Sequence, residues 1–553
     1  MRITSFGAAI LALTLGCRLH AQEQVDVDRD LVNAQLPWHA AELDSQGKLV
    51  PWFEADKNLG FDKVLHLAWD FIEHQVKIDP KTGQKVYLTN AAFDANTGLG
   101  TYWQHNPAST YAQFVDSVVA WYPYSGDKEA VNVARSMLDY QLARGTTPAN
   151  WDWASVPFAT SCGGDLEYGK CMKGLPRDFY GGIETDKVGE LGVGYVLFYE
   201  LTGEKKYLVA GIACAEELAK HIRPGDETHT PWAFRVNAKT GEVLNGEEYG
   251  GMIVAPVRLF AELIRLQQGD VAGYEASRKT AWSWIKKYPL HNNRWSGYFE
   301  DVARSVDNDN QASPTMTAYY ILTQADPASV DPEWATDVGR LIDWVKKHYG
   351  RGPYFGAWAI DEQGPAPDYS GCCSRGGLAS ATSRWAAVNA LYFEKANDGQ
   401  AHSDAFRSLS YATYFAADDG KVACCGLDYV GSPVNQSTYW FDDGYGDYIR
   451  NLLWTLSAMP ELAPKHEDHL LRSSCVVQLV EYERRSIHYR TFGKAATETL
   501  RLSYKPATIK VGGSSISLRR DLKVQGYTIT ALPDGDYLLR VRHTNSDDVQ
   551  ITG

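Results

Sequence analysis

The sequence predicts an all-α (α/α)6 toroid, a barrel of six inner helices ringed by six outer ones, with a small C-terminal antiparallel β-sandwich-like domain behind it. Three observations carry this. From residue 61 to 458 the hydrophobic period is helical almost throughout, and segments apolar nearly all round alternate with amphipathic ones. The links from a buried to an amphipathic segment are short, while the links leading back are long. From Ser473 onward the period changes to two.

The first helix is read from about Lys63 to Gln75. Tyr111, Phe114, Val115, Val118, Val119 and Tyr122 then follow i, i+3, i+4, i+7 spacing as the first buried segment, and Ala130, Val133, Ala134, Met137 and Leu138 repeat it with a polar back. VGELGVGYVLFYEL is apolar nearly all round, and KYLVAGIACAEELAKHI after it is amphipathic. GGMIVAPVRLFAELIRL precedes AGYEASRKTAWSWIKKY, SPTMTAYYIL precedes TDVGRLIDWVKKHY, and LASATSRWAAVNALYF precedes DAFRSLSYATYFA. A last buried segment begins at IRNLLWTL. The buried members start near residues 110, 186, 248, 310, 375 and 444, a spacing too long for helical solenoids repeating at roughly 34 to 47 residues. The short links are YSGD, LTGE and QQGD; the long ones span 78–109, 144–185, 223–247, 288–309, 349–374 and 417–443. An inner helix must be apolar on most sides and an outer one only on one, so a double ring satisfies both kinds. All six long loops then share one rim, where the inner-helix N-termini and their partial positive charge favour carboxylates. VVQLVEY, SIHYRTF, TLRLSY, TIKV, SISL, YTITAL and YLLRVRH supply the strands of the β module.

Residues 1–21 carry Arg2, the apolar run FGAAILALTLG and a small residue, Ala21, at the expected cut, so they read as a secretory signal. The protein is therefore expected to be secreted or periplasmic. Lipid anchoring through Cys17 is the weaker alternative, because Thr14 stands where such signals prefer Leu, Val or Ile. An N-terminal extension (22–60), a catalytic barrel (61–464) and the β domain (465–553) follow. No later run approaches the ~18 apolar residues of a membrane span. The net charge of −14 becomes −16 when Arg2 and Arg18 leave with the signal, which disfavours nucleic acid and anionic lipid as partners. Export also permits disulfides, and Cys162 with Cys171 is a plausible local bridge. Cys372–Cys373 and Cys424–Cys425 are adjacent pairs expected on the long-loop rim. No cofactor is expected and no metal: no histidine lies at ligand spacing from either pair, and DNDNQ lacks the glycine and terminal glutamate of a calcium loop.

The rim loops gather what sugar recognition uses, flat aromatic faces for pyranose rings and polar groups for hydroxyls. The candidates for substrate binding are Trp103, His105, Trp151, Trp153, Trp232, Tyr298, Asn310, Gln311, Trp358, Arg375, Tyr439 and Trp440. Each aromatic has packing as its ordinary role; their concentration in the long loops is what points to a cleft. Glycosidic hydrolysis needs one carboxyl to donate a proton and another to activate water or attack carbon. Candidates at inner-helix starts are Glu184, Asp186, Glu248, Asp442 and Asp443, each with capping as its ordinary role. Asp443 is the first choice, with Glu248 or Glu184 as its partner.

The paired-helix layout over roughly 61–460, with acids and aromatics at the inner-helix starts, resembles the six-hairpin (α/α)6-barrel glycosidase superfamily. The resemblance implies an active site on the long-loop rim, an oligo- or polysaccharide substrate, and a hydrolase, a polysaccharide lyase or a sugar epimerase. Hydrolysis is the first reading. A lyase acting on uronic-acid glycans, using His105, Asn106, Tyr298, Arg304, Asn308, Asn310, Gln311 and Arg375, is the second. A non-catalytic glycan-binding surface protein is the third.

Overall fold

The computed structural model describes residues 39–54, 59–102, 105–159, 181–298, 309–361, 377–424 and 438–553. Among them run twelve long helices: α1 Asp62–Asp70, α2 Pro107–Ser125, α3 Lys128–Arg144, α4 Thr185–Thr202, α5 Lys205–Lys220 and α6 Val254–Leu266. The rest are α7 Val271–Lys287, α8 Ala312–Leu322, α9 Trp334–Tyr349, α10 Ala379–Ala396, α11 Gly399–Thr413 and α12 Asp447–Ala458. Every even-numbered helix packs on the next even one, and α12 returns to α2, which closes the inner ring. Each odd helix packs outside an even one, α1 against α12 and α3 against α2. The (α/α)6 barrel expected from the sequence is the fold of this chain.

The short links turn as their residues dictate. Gly126 takes φ 78°, which ends α2 in the left-handed region, and Asp127 then caps α3 by accepting from Glu129 N–H at 2.9 Å. The long loops pair near the rim. Strand β1 (Ala92–Asp94) runs antiparallel to β6 (Thr438–Trp440), with Phe93 opposite Tyr439, and so ties the loop before α2 to the loop before α12. Strand β2 (Gly182–Glu184) pairs with β3 (Arg235–Asn237), with Glu184 opposite Arg235, and β4 (Gly350–Tyr354) turns back as β5 (Ala357–Ile360). Among the inner helices, one start differs most from the sequence reading. The third inner helix begins at Val254 rather than near 248, because Gly250 and Gly251 are spent on backbone pairing: Gly251 N–H donates to Tyr298 O at 2.6 Å.

Among the described residues nine further strands follow: β7 (His469–Ser473), β8 (Val477–Glu483), β9 (Ser486–Thr491), β10 (Ala496–Leu502), β11 (Thr508–Val511), β12 (Ser514–Ser515), β13 (Gly526–Ala531), β14 (Tyr537–His543) and β15 (Asp548–Thr552). They form two antiparallel sheets, ordered β13-β14-β10-β7 and β12-β11-β15-β9-β8. Leu470, Leu500 and Leu539 of the first and Ile487, Tyr489 and Ile551 of the second are buried. The module docks on the C-terminal ends of the inner helices, away from the long-loop rim. Tyr482 Oη donates to Pro123 O near the end of α2, Gln478 Nε2 donates to Glu200 O at 2.7 Å, and Arg472 pairs with Glu394 of α10. No helix among the described residues is long and apolar enough to cross a membrane.

Candidate functional site

A π turn, Asp442–Gly446, leads into α12 and sets the acids at the mouth of the barrel. It lies close against α2: a Cβ on Gly446 would sit 3.1 Å from Gln113 Cβ and from the Phe114 ring. The aromatics around the turn pack rather than stand open. Tyr439, Phe441 and Tyr445 are buried, with Phe93 stacked on Tyr439 at 5.4 Å and Phe71 on Tyr445 at 5.4 Å. Asp442 accepts the backbone N–H of Asp443 at 2.9 Å. Asp443 itself turns to α10, where Ser380 Oγ donates to its Oδ1 at 2.6 Å. Burial raises its pKa above the ordinary carboxylate range, against the opposing pull of the Ser380 hydrogen bond and the Arg384 charge.

One helical turn deeper lies a polar network. Asp447, 1% exposed, is held by the guanidinium of Arg384, by Arg450 Nε at 2.6 Å and by Asn451 Nδ2 at 3.3 Å. Arg384 also donates to Gln311 Oε1 at 3.1 Å, and Arg450 donates to Asp116 of α2 at 3.0 Å. Asp116 has Arg258 of α6 at 3.7 Å on its other side. Five inner helices or their starts thus meet, four through charge-assisted hydrogen bonds, the strong kind in a low-dielectric site, and α6 through the longer Arg258–Asp116 ion pair. Below them Tyr319 and Trp454 stack at 3.9 Å, with Arg258 over the first ring and Arg450 over the second, and this layer floors the lumen. On α4, Glu190 accepts from Ser109 of α2 at 3.3 Å and from Lys187 at 3.4 Å. Asp186 beside it is buried, and burial raises its pKa, with Lys187 opposing and Glu184 adding to the rise.

Several residues expected at the site are placed elsewhere. Glu184 is fully buried against Arg235, whose other nitrogen faces Glu247 at 3.4 Å, so it closes the β2–β3 ladder. Glu248 turns outward to Arg223, just beyond outer helix α5, at 2.6 Å. Trp153 is buried and stacks on His221 at 4.3 Å, and Trp232 donates its indole N–H to Leu218 O at 2.8 Å. Trp358 lies under Lys346 of α9 at 5.0 Å. These three tryptophans cover the ends of outer helices, which need apolar cover as much as the lumen does. Trp151 meets the edge of Phe158 at 5.9 Å, and Tyr298 stacks on Phe234 at 6.2 Å. Asn310 is buried and caps α8, accepting from Ser313 N–H at 2.8 Å. His105 is fully buried, its pKa pushed down to about 3 by burial. Trp440, half-buried, neighbours the acids in sequence and pairs with Ala92 across the ladder. Trp103, Arg375, Cys162, Cys171, Cys372, Cys373, Cys425 and the signal segment lie outside the described residues.

Sequence reasoning did not select Asp116, Lys187, Glu190, Arg258, Arg384, Asp447 and Arg450 as site residues. A signal for them exists: each is a charge set inside, or at the head of, an otherwise apolar inner helix, where only a polar lumen could accept it.

No protein-family model matches the chain, and no curated protein sequence matches it. Its fold is shared with solved structures of low identity. A cellobiose 2-epimerase from Spirochaeta thermophila DSM 6192 aligns with TM-score 0.54 at 10% identity, over 72% of this chain and 95% of that one. A sugar epimerase from a ruminal bacterium aligns with TM-score 0.52 at 9% identity over 71% and 98%, and a D-mannose isomerase with TM-score 0.52 at 13% identity over 74% and 97%.

Proposed function

We propose that the chain is an exported glycoside hydrolase that cleaves an oligo- or polysaccharide at the mouth of the barrel lumen, with Asp443 as the proton donor. The observation that carries the reading is the state of Asp443: a carboxyl at the rim whose proton affinity is raised by burial and whose orientation is fixed by Ser380. General acids are tuned in this way. Glu190 is the second carboxylate. It stands on α4, across α2 from α12, and keeps access to the lumen, with its side chain 18% exposed. In the reaction, Asp443 gives its proton to the leaving oxygen as the C–O bond breaks, and Glu190 takes a proton from the attacking water. One water is consumed. Arg384 and Asp447 hold the floor rigid beneath the scissile bond.

A second reading is epimerisation or isomerisation of a sugar, for which the similar structures and the guanidinium groups of Arg258, Arg384 and Arg450 in the lumen speak, since such groups stabilise an enolate oxygen. The lyase reading is weakened by the burial of His105, its proposed base. A glycan panel incubated in D2O separates the three. Hydrolysis releases new reducing ends without deuterium on carbon, epimerisation puts deuterium on carbon without new ends, and elimination creates an absorbing C=C bond. New reducing ends alone support the proposal; either other result overturns it.

A further inference from the structure

The opposite end of the barrel holds a second cluster of chemistry-bearing side chains. Asp62 and His66 lie one turn apart on α1, and Glu467 and His469 lie where the chain enters β7. One ligand atom each from Asp62, Glu467 and His469 falls within 4.8 Å of the others. His66 Nε2 stands 3.5 Å from Asp62 Oδ2.

Two details single the cluster out. His469 is buried with its ring stacked on Tyr124 at 4.1 Å, and its Nδ1 lies 2.9 Å from Tyr124 O. A carbonyl only accepts, so Nδ1 carries the hydrogen, and in the neutral ring the lone pair is on Nε2. That lone pair faces Glu467 Oε2 at 3.3 Å. A lone pair opposed to a carboxylate calls for positive charge between them, and a histidine anchored through its other nitrogen to a backbone carbonyl is the usual arrangement of a metal ligand. The second detail is Asp62, only 5% exposed, whose Oδ1 has no hydrogen-bond partner.

We propose that Asp62, Glu467 and His469 bind a zinc ion that staples the β module to the first helix of the barrel, with His66 or water as the fourth ligand. One imidazole with two carboxylates suits zinc better than calcium or magnesium, which take oxygen ligands alone. Ligand atoms on one tetrahedral zinc sit about 3.3 Å apart, so the cluster needs to contract by at most roughly 1.5 Å. Glu467 is more than half exposed and free to make that movement. The spacing rules applied to the sequence missed the site because its two halves lie about 400 residues apart in a chain that only the closed fold brings together.

The test uses the full chain, stripped with a chelator and titrated with zinc chloride by calorimetry and by thermal melting, beside Asp62→Asn and Glu467→Gln. Glu467→Gln changes an exposed side chain and keeps the fold available even if Asp62→Asn does not fold. The expected result is one zinc per chain, a melting temperature a few degrees higher with zinc, and affinity at least about tenfold weaker in Glu467→Gln. Absence of uptake at micromolar zinc, or equal affinity in wild type and Glu467→Gln, overturns the proposal.

Discussion

Replacing Arg384 by Met tests whether the lumen network holds the inner ring together. Arg384 is 6% exposed and binds both Asp447 and Gln311. Met fills similar volume without charge, so Asp447, 1% exposed, keeps Arg450 and Asn451 but loses its other guanidinium. Breaking a buried ion pair from one side costs about 3–5 kcal/mol. A barrel of about 400 residues has an unfolding entropy of ~0.84 kcal/mol/K, from ~2.1 cal/mol/K per residue, which converts that cost to a fall of about 4–6 °C in melting temperature. Differential scanning calorimetry at neutral pH reads it directly. Adding Asp447→Asn to Arg384→Met should recover part of the loss, because the buried carboxylate that lost one of its two guanidinium partners is then neutral. A fall below about 1 °C for the single variant, or strict additivity in the double, would show that the lumen network does not hold the ring together.

Glu248→Gln should leave rate and melting temperature nearly unchanged, because its partner Arg223 is a third exposed and such pairs contribute about 0–1 kcal/mol; a large rate loss in a glycan assay would return Glu248 to the catalytic pair. Trp153→Ala should destabilise by about 3–5 kcal/mol without raising KM, since the ring packs on His221 rather than facing the lumen; thermal melts and saturation kinetics check both halves. Glu73 has a pKa pushed up to about 8 by burial and by Asp127 beside it. Its folded pKa lies above the ordinary 4.5, so its contribution is full below that pH and is lost as pH rises toward 8. Glu73→Gln should therefore flatten the fall in melting temperature between those two pH values.

The helical ring was legible because burial imposes a different periodicity on inner and outer helices, and VGELGVGYVLFYEL beside KYLVAGIACAEELAKHI shows that contrast within one pair. The start of α6 was not, since Met252 and Ile253 look the same in an apolar loop as in a helix, and only the pairing of Gly251 with Tyr298 decides. Position along the chain puts Asp443 just ahead of the last inner helix, where the structure has it, but does not tell which way a side chain there turns. Trp232 occupies a long loop as expected, whereas Glu248, expected at an inner-helix start, falls in the loop before α6; both turn to the segment around α5. Tyr439 looked like a sugar platform and is a buried plate against Phe93. Arg384 and Arg450 are not singled out by position alone, because a single charge in a helix reads as its solvent face, whereas both are buried here among inner-helix side chains.

Asp443→Asn removes the proposed proton donor while keeping the shape of its side chain. Asn Oδ1 still accepts from Ser380 Oγ, so the hydrogen bond of 2.6 Å that orients the side chain has a counterpart in the variant, and the melting temperature should stay within a degree or two. The amide cannot give up a proton, so initial rate on the glycan that wild type cleaves should fall by at least about 100-fold. The rate of the wild-type enzyme should also persist above the ordinary carboxylate range and decline as Asp443 loses its proton at higher pH. A rate within a factor of about two of wild type, with a lowered melting temperature, would exclude Asp443 as the proton donor and leave it a structural residue of the π turn.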